Sequence, residues 1–127
     1  MQVSSKLPVR YRLDSSLGTG AFGEVHKIYD TELNKTIAVK ILTNVTSASK
    51  SSIKKEFEVL SNLNHPHLVK VYDFGFIQED IPYFTMEYIE GEDLKTFLSA
   101  PENRKHIPQI INQILQALGY LHNKEII

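Results

Sequence analysis

The chain has 127 residues and 42% of them are hydrophobic, which suits one compact domain with a globular core rather than a disordered chain. Fourteen basic and fifteen acidic residues give a net charge of -1, so neither nucleic acid nor an anionic membrane is predicted as a partner. Because cysteine is absent and no apolar run approaches about 18 residues, we expect no disulfide framework, no transmembrane helix and a cytoplasmic protein.

Three strands are predicted in the first third of the chain, after a lead-in (residues 1–10) that we expect to be frayed. Apolar residues alternate loosely over Tyr11–Leu17, and β-forming residues alternate over Gly23–Asp30. A polar turn follows, and Thr36–Leu42 is predicted as the third strand. The first two strands would form a hairpin around a glycine-rich turn.

That turn carries the first functional signal. Gly18, Gly20 and Gly23 have G-x-G-x-x-G spacing, and Lys40 lies near the end of the third strand. Glycines at this spacing let the backbone approach a phosphate closely, and a nearby lysine adds positive charge. The same spacing occurs in the dinucleotide-binding fingerprint, but that motif requires a helix after the glycines. A strand is predicted here, so we favour a nucleotide triphosphate.

The remaining elements are predicted from periodicity as a helix, two strands and two further helices, over Ile53–Leu63, Leu68–Phe74, Ile81–Ile89, Asp93–Ala100 and Pro108–Asn123. The two strands would be joined by a turn at Gly75–Asp80, and Pro101 would end the short helix. The last helix has an apolar stripe that we expect to face a core. His65 and His67 have no third ligand nearby, so no metal site is predicted.

Four segments together resemble the first half of a eukaryotic-type (Hanks-type) serine/threonine protein kinase domain: LGTGAFGEV, IAVK, KKEFEVLSNLNHPHLVKVYDF and TMEYIEGEDL. The resemblance implies an α+β fold, in which a five-stranded antiparallel sheet and one helix form the first lobe at residues 9–89. It also implies a hinge at residues 87–92 and the first two helices of an incomplete second lobe at residues 93–127.

The resemblance implies a catalytic ion pair between Lys40 and Glu56, with Glu56 within salt-bridge reach of Lys40 or within a helix rotation of it. The family places this glutamate nine residues before the histidine of a His-Pro turn, and counting back from His65 gives Glu56. A carboxylate facing Lys40 would hold its ammonium group in place. Glu58 is expected to be a solvent-exposed helix residue.

ATP is the implied cofactor, and the resemblance assigns its contacts. The phosphates would lie under the glycine-rich turn, and the adenine would lie under an apolar roof with Met86 behind it. Backbone groups of the hinge would bind the adenine edge, and Asp93 would lie near the ribose or cap the following helix. The assigned residues are Leu17, Gly18, Thr19, Gly20, Ala21, Phe22, Gly23, Val25, Ala38, Lys40, Met86, Glu87, Ile89 and Asp93.

The sequence ends at Ile127, immediately before the position where the family's His-Arg-Asp motif would begin. The catalytic base and the magnesium ligands of the family are therefore expected to be missing from this chain. A complete domain would transfer the γ-phosphoryl group of ATP to protein hydroxyls, with Mg²⁺ bound beside the ATP. This chain alone is expected to be inactive.

Two other functions remain open. One is a non-catalytic, pseudokinase-like module that binds a nucleotide or a partner protein. The other is a small-molecule phosphotransferase with a similar first lobe, which the HPHLVKVYDF segment and the hinge segment disfavour. Intact Lys40, Glu56 and glycines favour descent from an active enzyme.

Overall fold

The computed structural model describes residues 3–46 and 49–127, and these form two compact units. The first unit contains the described residues up to Leu63 together with Val69–Tyr88, and the second contains Asn64–Leu68 and Ile89–Ile127. The strands are β1 to β5, over Tyr11–Gly20, Gly23–Asp30, Lys35–Ile41, Val71–Ile77 and Ile81–Glu87. The α-helices are α1 to α3, over Lys50–Ser61, Leu94–Ser99 and Ile107–Asn123, and two 3-10 helices cover Val3–Lys6 and Pro101–His106.

The five strands form one antiparallel sheet in the order β1-β2-β3-β5-β4, which confirms the predicted α+β class. The bounds of β2 are as predicted, but the predicted turn at Gly75–Asp80 is too long because β4 continues to Ile77. Gly75 pairs with Tyr83 in the ladder, and a Cβ at Gly75 would overlap the Tyr83 ring. Gly75 is therefore a strand residue that makes room for Tyr83, and the polar residues 78–80 form the turn.

One face of the sheet, which we call the core face, carries the hydrophobic core of the first unit. Side chains directly opposite each other in a ladder lie on the same face, and alternation along β3 directs every second residue to it. The core consists of one cluster of residues, each at most 7% exposed: Tyr11, Ile28, Ile37, Val39, Ile41, Ile77 and Tyr83.

The prediction of a frayed lead-in is wrong for residues 3–10, while residues 1 and 2 lie outside the described residues. Val3 and Leu7 pack against the core cluster, and Ser4 is 2% exposed. Two apolar side chains among polar neighbours gave no periodic signal, because the segment has a defined place only on the completed sheet.

An ion pair fastens the lead-in to the sheet. The Arg10 Nε and Nη2 atoms donate to the Asp30 carboxylate, each at 2.8 Å, and Asp30 also accepts the backbone N–H groups of Glu32 and Leu33. The guanidinium group therefore holds the pKa of Asp30 below its usual value, although burial alone would raise it. Asp30 is fully buried, so its charge is tolerated because every one of these donors is present.

The opposite face of the sheet receives α1. Phe57 of α1 stacks on Phe74 of β4 at 5.4 Å between ring centroids and lies 6.5 Å from the ring of Phe84. The helix begins three residues before the predicted start and ends two before the predicted end. These contacts of Phe57 hold α1 against this face of the sheet.

The second unit has a less complete core. The short helix α2 ends at Ser99 and Ala100 is extended, so the helix stops before Pro101 as predicted; a separate 3-10 helix over Pro101–His106 then leads into α3. The α3 stripe buries Ala117, but four of its large apolar side chains remain 42% to 60% exposed: Ile111, Ile114, Leu115 and Leu118. Too few described elements of this unit pack against α3 to cover the predicted core-facing stripe.

None of the helices in the described part of the chain is both long and apolar enough to cross a membrane.

Candidate functional site

The glycine-rich turn, Gly18–Gly23, closes the β1–β2 hairpin. Gly20 pairs with Gly23, and Ala21 and Phe22 form the tip, where the Phe22 side chain is 78% exposed. Gly23 has φ 134°, and a Cβ there would overlap the carbonyl oxygen of Ile41. This position therefore requires glycine, both for its backbone angle and for its closeness to the end of β3.

A cavity of about 250 Å³ lies against this turn. Its lining consists of residues 18–23 together with Val25 and Lys40. The backbone of the turn and one lysine thus border the same space, as the sequence predicted for an anion.

Lys40 stands between this cavity and a second, larger one. It is half-buried on β3, directly opposite Val25 on one side and Phe84 on the other. The larger cavity, about 470 Å³, is bordered by Lys40 and by residues of α1 that include Glu56 and Phe57. Both predicted catalytic side chains therefore border one cavity.

The predicted ion pair between them is not formed. Among the described residues, Lys40 has no carboxylate within 4.0 Å, and Glu56 is exposed on α1. Glu58 is also exposed and does not border the cavity with Lys40. Of the two glutamates, Glu56 is therefore the one on the side of α1 that borders the cavity with Lys40, although it lies beyond salt-bridge distance of Lys40.

Three of the residues predicted to surround adenine, Val25, Ala38 and Met86, share one face of the sheet with Lys40 and Phe84; we call this face the site face. Their ladder positions establish this, since Val25 is opposite Lys40 and Ala38 is opposite Met86. Ala38 is 3% exposed, whereas Leu17 is 47% exposed at an irregular step of the β1 register next to Gly18. The predicted apolar roof thus has its β2 and β3 residues in register with the glycine-rich turn.

The predicted hinge contacts divide between the two units. Glu87 ends β5, and its backbone N–H donates to the Lys70 carbonyl oxygen at 2.7 Å. Ile89, in the second unit, is 59% exposed. The Asp93 carboxylate caps α2 by accepting the Thr96 N–H at 2.8 Å and the Thr96 hydroxyl at 3.1 Å, which lowers the pKa of Asp93. Its contact with ribose stays a prediction.

The histidines of the His-Pro turn have structural partners. The His65 Nδ1 atom accepts the His67 N–H at 3.1 Å, and the His65 ring packs on Tyr120 at 5.1 Å between centroids. Within the described ranges, no three His, Cys, Asp or Glu side chains are grouped so as to hold a metal ion.

Sequence reasoning missed one residue beside the site. The Asn44 side-chain amide donates to the Ala21 carbonyl oxygen at 2.6 Å. A polar residue in a polar loop carries no sequence signal for this contact, because its partner is a backbone atom 23 positions away.

Comparison with known proteins identifies relatives of the whole chain. A family model described as "Protein kinase domain" matches residues 11–127. The chain is 29% identical to serine/threonine-protein kinase pkn3 of Myxococcus xanthus, over 98% of this chain and 24% of that protein. It is 31% identical to serine/threonine-protein kinase PrkC of Bacillus subtilis and 33% identical to serine/threonine-protein kinase PknB of Mycobacterium tuberculosis. Those matches cover 100% of this chain but only 20% and 22% of the relatives.

Proposed function

The chain belongs to the protein kinase family, and from that premise we propose that residues 9–127 are the ATP-binding part of a serine/threonine protein kinase domain. Residues 9–89 form the first lobe, residues 87–92 the hinge, and residues 93–127 the start of the second lobe. In a complete domain, the γ-phosphoryl group of ATP would pass to a serine or threonine hydroxyl of a protein substrate.

One observation carries this proposal: the site face and the glycine-rich turn meet at Lys40. The turn would offer backbone N–H groups to the phosphates, and Lys40, which borders the same cavity, would offer a positive charge. Met86, opposite Ala38 in the ladder, lies further along the site face, where we place the adenine base. The proposal thus puts the triphosphate beside the turn and the base beside Met86.

The chain's own residues would act by binding and orientation. Phosphoryl transfer depends on holding the phosphates in line and stabilising their charge. Lys40 would contact the phosphates, and Glu56 would hold the Lys40 ammonium group once α1 moves closer. Mg²⁺ would supply further charge neutralisation when bound with ATP, and no described residue of this chain is assigned as its ligand.

The open gap between Lys40 and Glu56 supports an inactive arrangement. A lysine without its carboxylate partner keeps more rotamer freedom, so it is less well placed for the phosphates. No described residue is assigned as the base that would orient a substrate hydroxyl. We therefore expect the 127-residue chain alone to transfer no phosphoryl group.

A second candidate is a non-catalytic, pseudokinase-like module. The same unformed ion pair favours it, because such a module needs a nucleotide pocket but no aligned lysine. ATP binding without turnover, in this chain extended to a complete domain, would select this function over the kinase.

The proposal is tested by titrating the chain with MgATP in a calorimeter. We expect a dissociation constant no tighter than about 1 mM, or about 4 kcal/mol, because the described residues supply only one side of the contacts. Lys40→Ala should abolish the measured binding. Lys35→Ala is the matched control, since Lys35 is on the same strand but on the opposite face, where it contacts Tyr72. Equal binding by wild type and Lys40→Ala would overturn the proposal.

A further inference from the structure

A side chain of the loop after β3, that of Asn44, contacts the tip of the glycine-rich turn. The Asn44 Nδ2 atom donates to the Ala21 carbonyl oxygen at 2.6 Å. Ala21 belongs to the wall of the smaller cavity, whereas Asn44 does not. Asn44 therefore acts on the turn from outside the space in which the phosphates would lie.

The base of the turn is attached at the same end of β3. Gly23 approaches the Ile41 carbonyl group so closely that a Cβ would not fit, and Asn44 follows Ile41 by three residues. The base and the tip of the turn are thus both held from one side. Removing the Asn44 contact would free the tip and leave the base in place.

Holding the Ala21 carbonyl also fixes the next N–H group. A trans peptide group directs its C=O and N–H in opposite directions, and no cis peptide bond occurs among the described residues. With its carbonyl directed at Asn44, the Ala21–Phe22 peptide group directs the Phe22 N–H away from Asn44. An anion is bound by N–H groups and repelled by carbonyl oxygens, so this orientation determines what the tip presents to a phosphate.

We propose that Asn44 is a positioning residue that sets the phosphate affinity of the glycine-rich turn by fixing the Ala21–Phe22 peptide group. The inference rests on the proposed ATP-binding function and adds a determinant outside the nucleotide contacts. Asn44→Asp is the informative variant, because it keeps the size of the side chain and removes the donor. Its carboxylate repels the Ala21 carbonyl oxygen and favours a rotated peptide group.

The first test needs no ligand. NMR of the free chain should show a changed carbonyl ¹³C shift at Ala21 and new microsecond-to-millisecond exchange at Phe22 in Asn44→Asp. Asn103→Asp is the matched control: Asn103 also donates from its amide to a backbone carbonyl, that of Phe97 at 2.9 Å, in the second unit. Unchanged Ala21 and Phe22 signals in Asn44→Asp would overturn the proposal.

The second test compares ATP with adenosine, titrated separately into each variant. Asn44→Asp should weaken ATP binding by about threefold to tenfold, as expected for one lost hydrogen bond, and leave adenosine binding unchanged. Equal weakening of both ligands, or none, would overturn the role in phosphate affinity. Binding of neither ligand by wild type would instead be a failure of the proposed function, and the Ala21 and Phe22 signals alone would then decide whether Asn44 fixes the peptide group.

Discussion

The two faces of the sheet, although built from the same strands, differ in what they bury. Ile28, Ile37, Val39 and Ile41 of the core face are at most 1% exposed and belong to the cluster against which the lead-in packs. The site face borders cavities of about 470 Å³ and 250 Å³ and carries the half-buried Lys40. Burial of apolar side chains on the core face stabilises the fold. The site face instead borders open cavities and carries the charge of Lys40.

Under the proposed function, residues that stabilise the fold and the residue that binds the ligand are neighbours in the sequence of β3. Val39 and Ile41 flank Lys40 in sequence, and alternation sends them to the opposite face. A strand can therefore carry a binding residue between two core residues without exposing the core. We therefore predict that substituting Val39 or Ile41 lowers stability, whereas substituting Lys40 lowers ligand affinity.

The largest effect is expected in the core. Ile41→Ala removes a fully buried side chain and should lower the free energy of unfolding by about 2–5 kcal/mol. Leu17→Ala, at a position 47% exposed beside the turn, should cost less than about 1 kcal/mol. Urea unfolding of the two variants measures both values, and similar losses would break the contrast between the buried core face and the residues beside the glycine-rich turn.

A smaller loss is expected at the lead-in. Arg10→Ala removes two charge-assisted hydrogen bonds to buried Asp30 and should cost about 1.5–3 kcal/mol. Lys6→Ala is a suitable control, because Lys6 is an exposed charge in the same segment. A loss within 0.5 kcal/mol of the control, about the scatter of surface substitutions, would show that the lead-in is not fastened to the core face.

The same ion pair predicts a pH dependence with a defined sign. Because the folded-state pKa of Asp30 lies below its unfolded value, the pair stabilises the fold fully above the unfolded pKa, about 3.9. That stabilisation is lost as pH falls through the lower folded-state pKa. Asp30→Asn should be less stable than wild type at pH 6, and the difference should shrink below about pH 4. A constant difference in urea midpoint would contradict this.

Sequence reasoning identified the elements where a local pattern decided the structure. β2 was predicted within its bounds because glycine begins it, its β-forming residues alternate, and a polar turn follows Asp30. The lead-in and Asn44 were missed because their partners are distant in sequence, on the finished sheet and on the turn. Family spacing predicted Glu56 as the partner of Lys40 but could not fix the position of α1, which depends on how Phe57 packs against β4 and β5.

The smallest effect is expected in α3, which extends the contrast to the second unit. Leu115 is 60% exposed, so Leu115→Gln should change the free energy of unfolding by no more than about 0.5 kcal/mol. Hydrogen exchange should also be faster in α3 than in β3, because α3 has less covered apolar surface. Equal and strong protection of both elements in a monomer would contradict this prediction.

The most direct test measures stability and MgATP binding together in two variants of adjacent residues, Lys40→Ala and Ile41→Ala. We predict that Lys40→Ala abolishes the calorimetric binding signal and changes the free energy of unfolding by less than about 1 kcal/mol. Ile41→Ala, measured at a temperature where it stays folded, should lose about 2–5 kcal/mol and keep the wild-type affinity. Parallel losses of stability and affinity in both variants would contradict the claim that the core face supplies stability and the site face supplies ligand binding.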